Sequence, residues 1–184
     1  MINAAIKIFA LNGYERAGTD SMIKEAGISK GLLFHYFGSK LNLYRFVTEY
    51  CVRYLIVELS GGIDEKEKNL FDRIRLVEQA KLGMLRNYPY LDLFITTMRG
   101  ESDPEAAQSA AEWVEKADNL YSEIIEGGSD PALLRSGVGM DNAIQIARLC
   151  MDGYKLRCAG QGATPREVVE GFIPYLNVLK KSMC

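Results

Sequence analysis

The sequence predicts an all-α protein in which a three-helix head precedes a larger helical body. Apolar residues recur at three- and four-residue spacing through most of the 184 residues, and the alternation that marks a β-strand is nowhere sustained. Prolines and glycines fall mainly between the periodic segments, where they indicate helix ends. A length of 184 residues allows one or two domains.

The head is organised around Thr19 to Phe37, a stretch that predicts two short helices joined by a tight turn. Thr19 is a candidate N-cap for the first helix, and Ser29 is one for the second. Gly27 lies where the chain must leave a helix with positive φ. A preceding helix from Ile2 to Leu11 would pack across the pair. This arrangement is typical of a helix-turn-helix motif, although an ordinary corner in a helical bundle has the same local pattern.

A longer pattern surrounds the second short helix. It includes Ala26–Gly31, the aromatic-rich Phe34–Phe37 and Ser39-Lys40-x-x-Leu43, and it is preceded by Asn12-Gly13-Tyr14. With these residues the head, from about Ile2 to about Phe46, resembles the DNA-binding domain of the TetR family of bacterial transcriptional regulators. In the body, the resemblance covers only length, periodicity and helix order. The resemblance implies two domains, a DNA-binding domain at residues 1–46 and a ligand-binding and dimerisation domain at residues 47–184.

The resemblance implies that the second short helix reads the major groove. Leu33, Phe34 and Phe37 are predicted to form its buried side. The predicted DNA-binding residues lie on its outward side or at nearby helix ends, and they are Thr19, Ser29, Lys30, Gly31, Leu32, His35, Tyr36 and Lys40. Leu32 and Phe34 depart from the family pattern, because each replaces a hydroxyl that often contacts DNA with an apolar group.

The body is predicted to contain six helices. The linking helix runs from Ser39 to about Leu59 and stops at Gly61-Gly62, and the next starts at Asp64 and ends before Tyr88-Pro89. The others are expected at 89–98, from Asp103-Pro104 to about Ile125, at 141–158 and at 164–182, with one helical turn at 132–135. Thr164-Pro165-Arg166-Glu167 predicts a capping box, and Pro174 predicts a kink inside the final helix.

Aromatic and methionine side chains are frequent in the body, and their simplest interpretation is core packing. Together they also favour a small-molecule pocket between helices, because buried Tyr and Trp need polar partners. The candidate lining residues are Tyr54, Met84, Phe94, Met98, Trp113, Tyr121 and Tyr154. An apolar or aromatic effector would fit such a lining better than a highly charged one.

The last two helices each carry a broad apolar stripe. Each stripe could pack on its own domain, whereas the family resemblance implies that both helices pair with their copies in a homodimer. The candidate interface residues are Ala147, Met151, Tyr154, Phe172, Leu176 and Leu179.

Composition narrows the function classes. The first 50 residues carry six basic and four acidic side chains, and the remainder carries 16 and 20, which suits a DNA-facing head on an acidic body. No apolar run is long enough to span a membrane, so we expect a cytoplasmic protein. Four irregularly spaced cysteines and one histidine give no metal motif, cofactor motif or catalytic set.

The sequence therefore predicts a transcriptional regulator that is not an enzyme and needs no cofactor. We expect a repressor that binds a palindromic operator in double-stranded DNA as a homodimer and leaves it when a small-molecule effector binds the body. The alternative is a helical ligand-binding or scaffold protein in which DNA binding is weakened or lost.

Overall fold

The computed structural model describes residues 1–60, 64 and 66–184, and within them the chain forms α-helices and no β-strand. The predicted all-α fold is confirmed. The helices are α1 (Ile2–Arg16), α2 (Thr19–Ala26), α3 (Lys30–Phe37), α4 (Lys40–Leu59), α5 (Leu70–Leu85), α6 (Leu91–Arg99), α7 (Pro104–Ile125), α8 (Met140–Ala159) and α9 (Pro165–Met183), with one 3-10 turn at Pro131–Leu133.

The chain divides into two compact units. Unit 1 comprises Met1–Leu55 and Leu85–Ala117, and unit 2 comprises Ile56–Met84 and Asp118–Cys184. Helices α4, α5 and α7 contribute residues to both units. The boundary between a DNA-binding and a ligand-binding domain, expected between residues 46 and 47, stays a prediction.

Four aromatic rings form the centre of unit 1. The Phe9 side chain, which is fully buried, lies edge-on to Tyr44 with ring centroids 5.0 Å apart and within 6.3 Å of the Phe94 ring. Tyr44 also meets Tyr14 edge-on at 5.2 Å. Because these rings come from α1, α4 and α6, they fix the positions of three helices around one cluster.

Unit 2 contains a buried guanidinium that closes a helix end. Arg73 on α5 is 4% exposed and donates from Nε to the Ile124 carbonyl at 3.1 Å. Its Nη1 donates to the carbonyls of Glu67 at 2.8 Å and Asp64 at 3.3 Å. The side chain therefore satisfies a carbonyl in the last turn of α7 and holds the segment before α5.

Several predicted helix ends are confirmed. The Ser29 hydroxyl accepts from the Leu32 N–H, and the Asp103 carboxylate accepts from the Ala106 N–H at 2.9 Å. Thr164 and Glu167 form the predicted capping box. Pro174 lies within a continuous α9, and the kink expected there stays a prediction.

Other boundaries differ from prediction. Thr19 is not an N-cap, because Gly18 holds that position in extended conformation and no side chain caps α2. Helix α5 begins at Leu70 rather than at Asp64, because the Asn69 side chain accepts from the N–H groups of Phe71 and Asp72. The first helix runs on to Arg16, with a break at Gly13. The predicted stop at Gly61-Gly62 lies outside the described residues.

Candidate nucleic-acid interface and body cleft

The turn between α2 and α3 contains a closed helix end and an N-cap, as expected for the turn of a helix-turn-helix. Gly27 adopts left-handed φ 64° and ψ 33°, and its N–H reaches the Lys24 carbonyl while the Ile28 N–H reaches the Ile23 carbonyl at 3.2 Å. This pair of bonds closes the end of α2 in a Schellman motif. Ser29 then caps α3, so the turn is specified by its own residues.

The predicted outward face of α3 is exposed in the structure. The side chains of Leu32 and Tyr36 are 41% and 67% exposed, and Lys30, Gly31 and His35 are also exposed. On the opposite side Leu33 is fully buried, while Phe34 and Phe37 are half-buried. The helix therefore exposes an imidazole, an apolar group and a phenol along its outward face, and one cation, Lys30, at its first position.

Two of the predicted DNA-contacting lysines have protein partners. The Lys30 ammonium lies 3.2 Å from a carboxylate oxygen of Asp20, and both side chains are largely exposed. Such a pair contributes little to stability and exchanges readily for another anion. Lys40 donates to the carbonyls of Tyr14 at 2.9 Å and Glu15 at 3.2 Å, and its ammonium lies 4.3 Å from the centre of the Tyr14 ring.

The backbone of Tyr14 forms hydrogen bonds with two side chains, and the sequence did not indicate them. Its carbonyl accepts from Lys40, and its N–H donates to the Glu101 carboxylate at 2.7 Å. Glu101 also accepts from the N–H groups of Ser102 and Asp103, directly before α7. Gly13 allows this arrangement because its φ is 69°. The start of α4 is thus tied through α1 to the start of α7.

The predicted effector-lining residues are divided between the two units. Unit 1 holds Tyr54, Phe94, Met98 and Trp113, and unit 2 holds Met84, Tyr121 and Tyr154. Met84, Phe94 and Met98 are almost fully buried, as core residues are. The Trp113 ring is flanked by the Arg53 guanidinium at 5.1 Å and the Lys116 ammonium at 4.2 Å. The lining set stays a prediction.

A cleft in unit 2 includes Tyr154 and lies between α5, α8 and α9. It spans about 290 Å³ of space that is partly open to solvent, and its interior has room for about one water molecule. The apolar wall is formed by Met151, Val168, Val169, Phe172, Ile173 and Leu176, and the polar residues are Arg75, Glu78, Tyr154 and Lys155. The cleft combines an apolar surface with buried charged groups.

The predicted dimer residues mostly face this cleft or the core. Ala147, Phe172 and Leu176 are buried within the single chain, while Met151, Tyr154 and Leu179 are half-buried. The opposite faces of α8 and α9 carry the exposed apolar side chains, which are Ile146, Leu149, Leu156, Tyr175 and Val178. The dimer interface stays a prediction, and helical periodicity alone could not distinguish the two faces of each helix, because both carry apolar residues.

Metal-binding groups and membrane-spanning helices were the two remaining features to consider in the described residues. No group of three His, Cys, Asp or Glu side chains among them could hold a metal ion. None of their helices combines the length and apolarity that crossing a membrane requires.

The head matches known proteins in sequence. The family model described as "Bacterial regulatory proteins, tetR family" matches residues 1–46. The HTH-type transcriptional activator FasR of Mycolicibacterium smegmatis is 41% identical over 49 residues, which are 27% of this chain and 22% of FasR. The nucleoid occlusion factor SlmA of Vibrio cholerae is 32% identical over 79 residues, 43% of this chain and 40% of SlmA. The chain thus spans less than half the length of these curated relatives.

The whole chain matches solved structures in fold. The transcriptional regulator FadR from Bacillus subtilis, solved in complex with stearoyl-CoA, superposes with a TM-score of 0.64 over 97% of this chain and 95% of FadR. The sequence identity is 21%, so this likeness shows the fold alone. Residues 1–46 thus match the family model of the tetR family of bacterial regulatory proteins, and the chain shares the helical fold of this solved transcriptional regulator.

Proposed function

We propose that the chain binds double-stranded DNA at a palindromic operator and represses transcription until a small apolar or aromatic molecule binds its body. The observation that supports this most directly is the exposed face of α3 on a turn closed by Gly27 and capped by Ser29. A helix held in this way can enter the major groove with its side chains already positioned. We expect it to act in the bacterial cytoplasm, where the DNA is.

The proposed contacts divide into base-reading and phosphate-binding groups. Lys30 and His35 would reach base edges or adjacent phosphates, and Leu32 could meet a thymine methyl group. Gly31 would allow close approach of the helix backbone, and Thr19, Ser29, Tyr36 and Lys40 would hold phosphates. Lys40 must exchange its bonds to the carbonyls of Tyr14 and Glu15 for a phosphate, so its contribution is smaller than that of a fully hydrated lysine.

Selection of bound sequences from a random DNA library, followed by titration across salt concentrations, tests this proposal. Lys40→Ala should weaken binding to all sequences alike and reduce the salt slope by about one unit. His35→Ala should instead change the preferred sequence. Lys116→Ala is the matched control, because this exposed lysine lies on α7 and pairs with Glu112. If no salt-dependent binding to any DNA is found, the alternative of a helical ligand-binding or scaffold protein takes its place.

We further propose that two copies pair through the exposed faces of α8 and α9. Leu149 and Val178 are 71% and 62% exposed in the single chain, and large exposed apolar patches commonly mark protein–protein interfaces. A dimer would place two α3 helices one helical turn of DNA apart, roughly 34 Å. Leu149→Glu with Val178→Glu should give a monomer in sedimentation while the helical content is kept. An intact dimer would move the interface elsewhere.

Helix α4 is the element through which we expect an effector to act, because it carries Lys40 at its start and contributes residues to both units. By linkage, operator DNA must weaken effector binding by the same factor as the effector weakens DNA binding. The sign of regulation is tested by a reporter gene placed behind the selected operator. Deletion of the regulator should raise expression from a repressed promoter, and a fall would make the protein an activator, as FasR is named.

A further inference from the structure

Helix α1 is interrupted near its end, and two side chains from another part of unit 1 bond to the groups that the interruption separates. In an unbroken helix the Tyr14 N–H would donate to the Ala10 carbonyl, four residues earlier. Gly13 has φ 69° and ψ 177° instead, and the Tyr14 N–H donates to the Glu101 carboxylate at 2.7 Å. The Ala10 carbonyl accepts from the Thr97 hydroxyl at 2.9 Å. Both groups of the interrupted pair are therefore bonded by side chains four residues apart, on α6 and directly after it.

The Glu101 carboxylate can hold this break because it is itself held at both oxygens. Its Oε1 accepts from the N–H groups of Ser102 and Asp103 at 2.9 and 3.0 Å, and its Oε2 accepts from Tyr14. An ionised carboxylate has enough lone pairs for all three donors. A Cβ atom on Gly13 would lie 3.6 Å from Oε2, so the break and the carboxylate are in close contact. Glu101 thus joins the break in α1 to the turn that precedes α7.

The residues after the break determine the direction in which the chain enters the helix-turn-helix. Ala17 is buried, and its N–H donates to the Tyr14 carbonyl at 3.2 Å. Helix α2 starts two residues later and has no side-chain cap of its own. Lys40 also donates to the Tyr14 carbonyl, but in the proposed complex this lysine leaves it for a DNA phosphate. The bond from Glu101 then remains to hold the Tyr14 backbone.

We propose that Glu101 is a positioning residue for DNA binding, which holds the interrupted end of α1 so that α2 and α3 keep the orientation in which α3 enters the major groove. This inference rests on the proposed function, because DNA binding is what the orientation serves. By charge alone a carboxylate opposes DNA binding, because it repels the phosphates. Positioning and charge therefore predict opposite changes in affinity when the carboxylate is replaced.

Glu101→Gln keeps the shape of the side chain and is the decisive variant. One of its terminal atoms is an amide NH2 that cannot accept a hydrogen bond, so either Tyr14 or the pair of N–H groups before α7 loses its partner. The competent orientation becomes less populated, and the apparent affinity for operator DNA falls with it. We expect a loss of about tenfold, the scale of one charge-assisted hydrogen bond. The salt slope should stay unchanged, because no phosphate contact is removed.

Glu105→Gln is the matched control, because Glu105 is exposed in the first turn of α7 and the same charge is removed. Its operator affinity should equal or slightly exceed that of the unmodified chain. All chains are compared at a temperature where circular dichroism shows them folded, so a loss of stability alone does not alter the affinity. A Glu101→Gln chain that binds operator as tightly as Glu105→Gln would overturn the inference.

Thr97→Val tests the other half of the break and decides the matter if Glu101→Gln does not fold. It removes the donor to the Ala10 carbonyl, so it should also weaken operator binding without changing the salt slope. Unchanged operator binding in Thr97→Val, with Glu101→Gln unfolded, would reduce Glu101 to a structural role and overturn the inference.

Residual dipolar couplings of the backbone amides, measured without DNA, report the orientation of α3 relative to α4. They should change in Glu101→Gln and stay the same in Glu105→Gln. Unchanged couplings in Glu101→Gln would overturn the positioning role, whatever the affinity. If the unmodified chain binds no DNA, the regulator function is removed, while changed couplings still establish that Glu101 orients the helix-turn-helix.

Discussion

The two compact units bury different kinds of side chain. Unit 1 packs aromatic rings against one another, and Asp92 is the only Asp, Glu, Lys, Arg or His among its described buried residues. Unit 2 buries Arg73, Glu78, Lys81 and Lys155. Ring packing fixes helix positions without needing a partner from outside, which suits a head that must present α3 in one geometry. A core that contains ions can exchange partners, which suits a body that responds to a ligand.

The largest expected effect is on the charged cluster of unit 2. Glu78→Leu removes the carboxylate that Lys81 and Lys155 share, and breaking a buried ion pair on one side typically costs about 3–5 kcal/mol. We expect a loss of that size in the free energy of unfolding, measured by urea denaturation. Glu112→Leu, which breaks the exposed pair with Lys116, should have a far smaller effect. Similar losses in the two variants would mean that the cluster contributes no more than a surface pair.

Removing a polar atom from the core of unit 1 should have the opposite effect and should not lower the free energy of unfolding. The buried hydroxyls of Tyr44 and Thr48 have no hydrogen-bond partner of good geometry. Burial raises the pKa of the Tyr44 phenol, and the nearby Thr48 hydroxyl opposes this only in part. Tyr44→Phe should therefore leave the free energy of unfolding unchanged or raise it by up to about 1 kcal/mol.

The matched control in the same unit is Thr97→Val. The Thr97 hydroxyl donates to the Ala10 carbonyl at 2.9 Å, so its loss should cost about 1 kcal/mol. If Tyr44→Phe were as destabilising as Thr97→Val, the Tyr44 hydroxyl would have a partner such as a buried water.

Alkali should affect unit 1 through a pair of tyrosines. The hydrogen bond with Tyr88 and then burial raise the pKa of Tyr50 from 10.0 to about 12. Because the protonated phenol is favoured in the folded chain, its stabilisation is complete below pH 10 and is lost as pH rises from 10 toward 12. Tyr88→Phe should return the Tyr50 pKa toward 10.0, as read from phenolate absorbance, whereas Tyr36→Phe should not. Titration of Tyr50 near 10 in the unmodified chain would contradict the hydrogen bond.

Lowering the pH should destabilise unit 2 at the start of α9, and this is the smallest of the expected effects. Hydrogen bonds from the Thr164 N–H and then the Thr164 hydroxyl lower the pKa of Glu167 below 4.5. The carboxylate is favoured in the folded chain, so its stabilisation is present above pH 4.5 and is lost as pH falls below it. Thr164→Ala should raise the Glu167 pKa, measured by NMR titration, and Thr164→Ser should preserve it. Equal pKa values in these two variants would exclude a role for the hydroxyl.

Local signals in the sequence were sufficient for much of the fold. Ser29, Asp103 and the Thr164–Glu167 box act on N–H groups within the next three residues, so their effect does not depend on distant packing. The false cap at Thr19 and the missed cap at Asn69 show the limit of the same method. Several polar residues near a helix start can each act as the N-cap, and tertiary packing determines which of them does.

The candidate sites depended on tertiary packing and were harder to predict. The outward face of α3 follows from helical periodicity, and it is exposed as expected. The buried Glu78, Lys81 and Lys155 come from two separate helices, and charged residues in a helical pattern are ordinarily assigned to the surface. For α8 and α9, both faces are apolar, so only the packed chain shows that Phe172 faces inward and Val178 outward.

The buried guanidinium of Arg73 constrains which residues can replace one another during evolution. A Cβ atom on Gly128 would overlap the Arg73 guanidinium, and moving that group away would break its bonds to the carbonyls of Ile124, Asp64 and Glu67. Any side chain at position 128 is therefore incompatible with the arginine in its present rotamer. In related chains the two positions should vary together, with glycine at 128 wherever an arginine closes the end of α7 and larger residues only where that arginine has been lost.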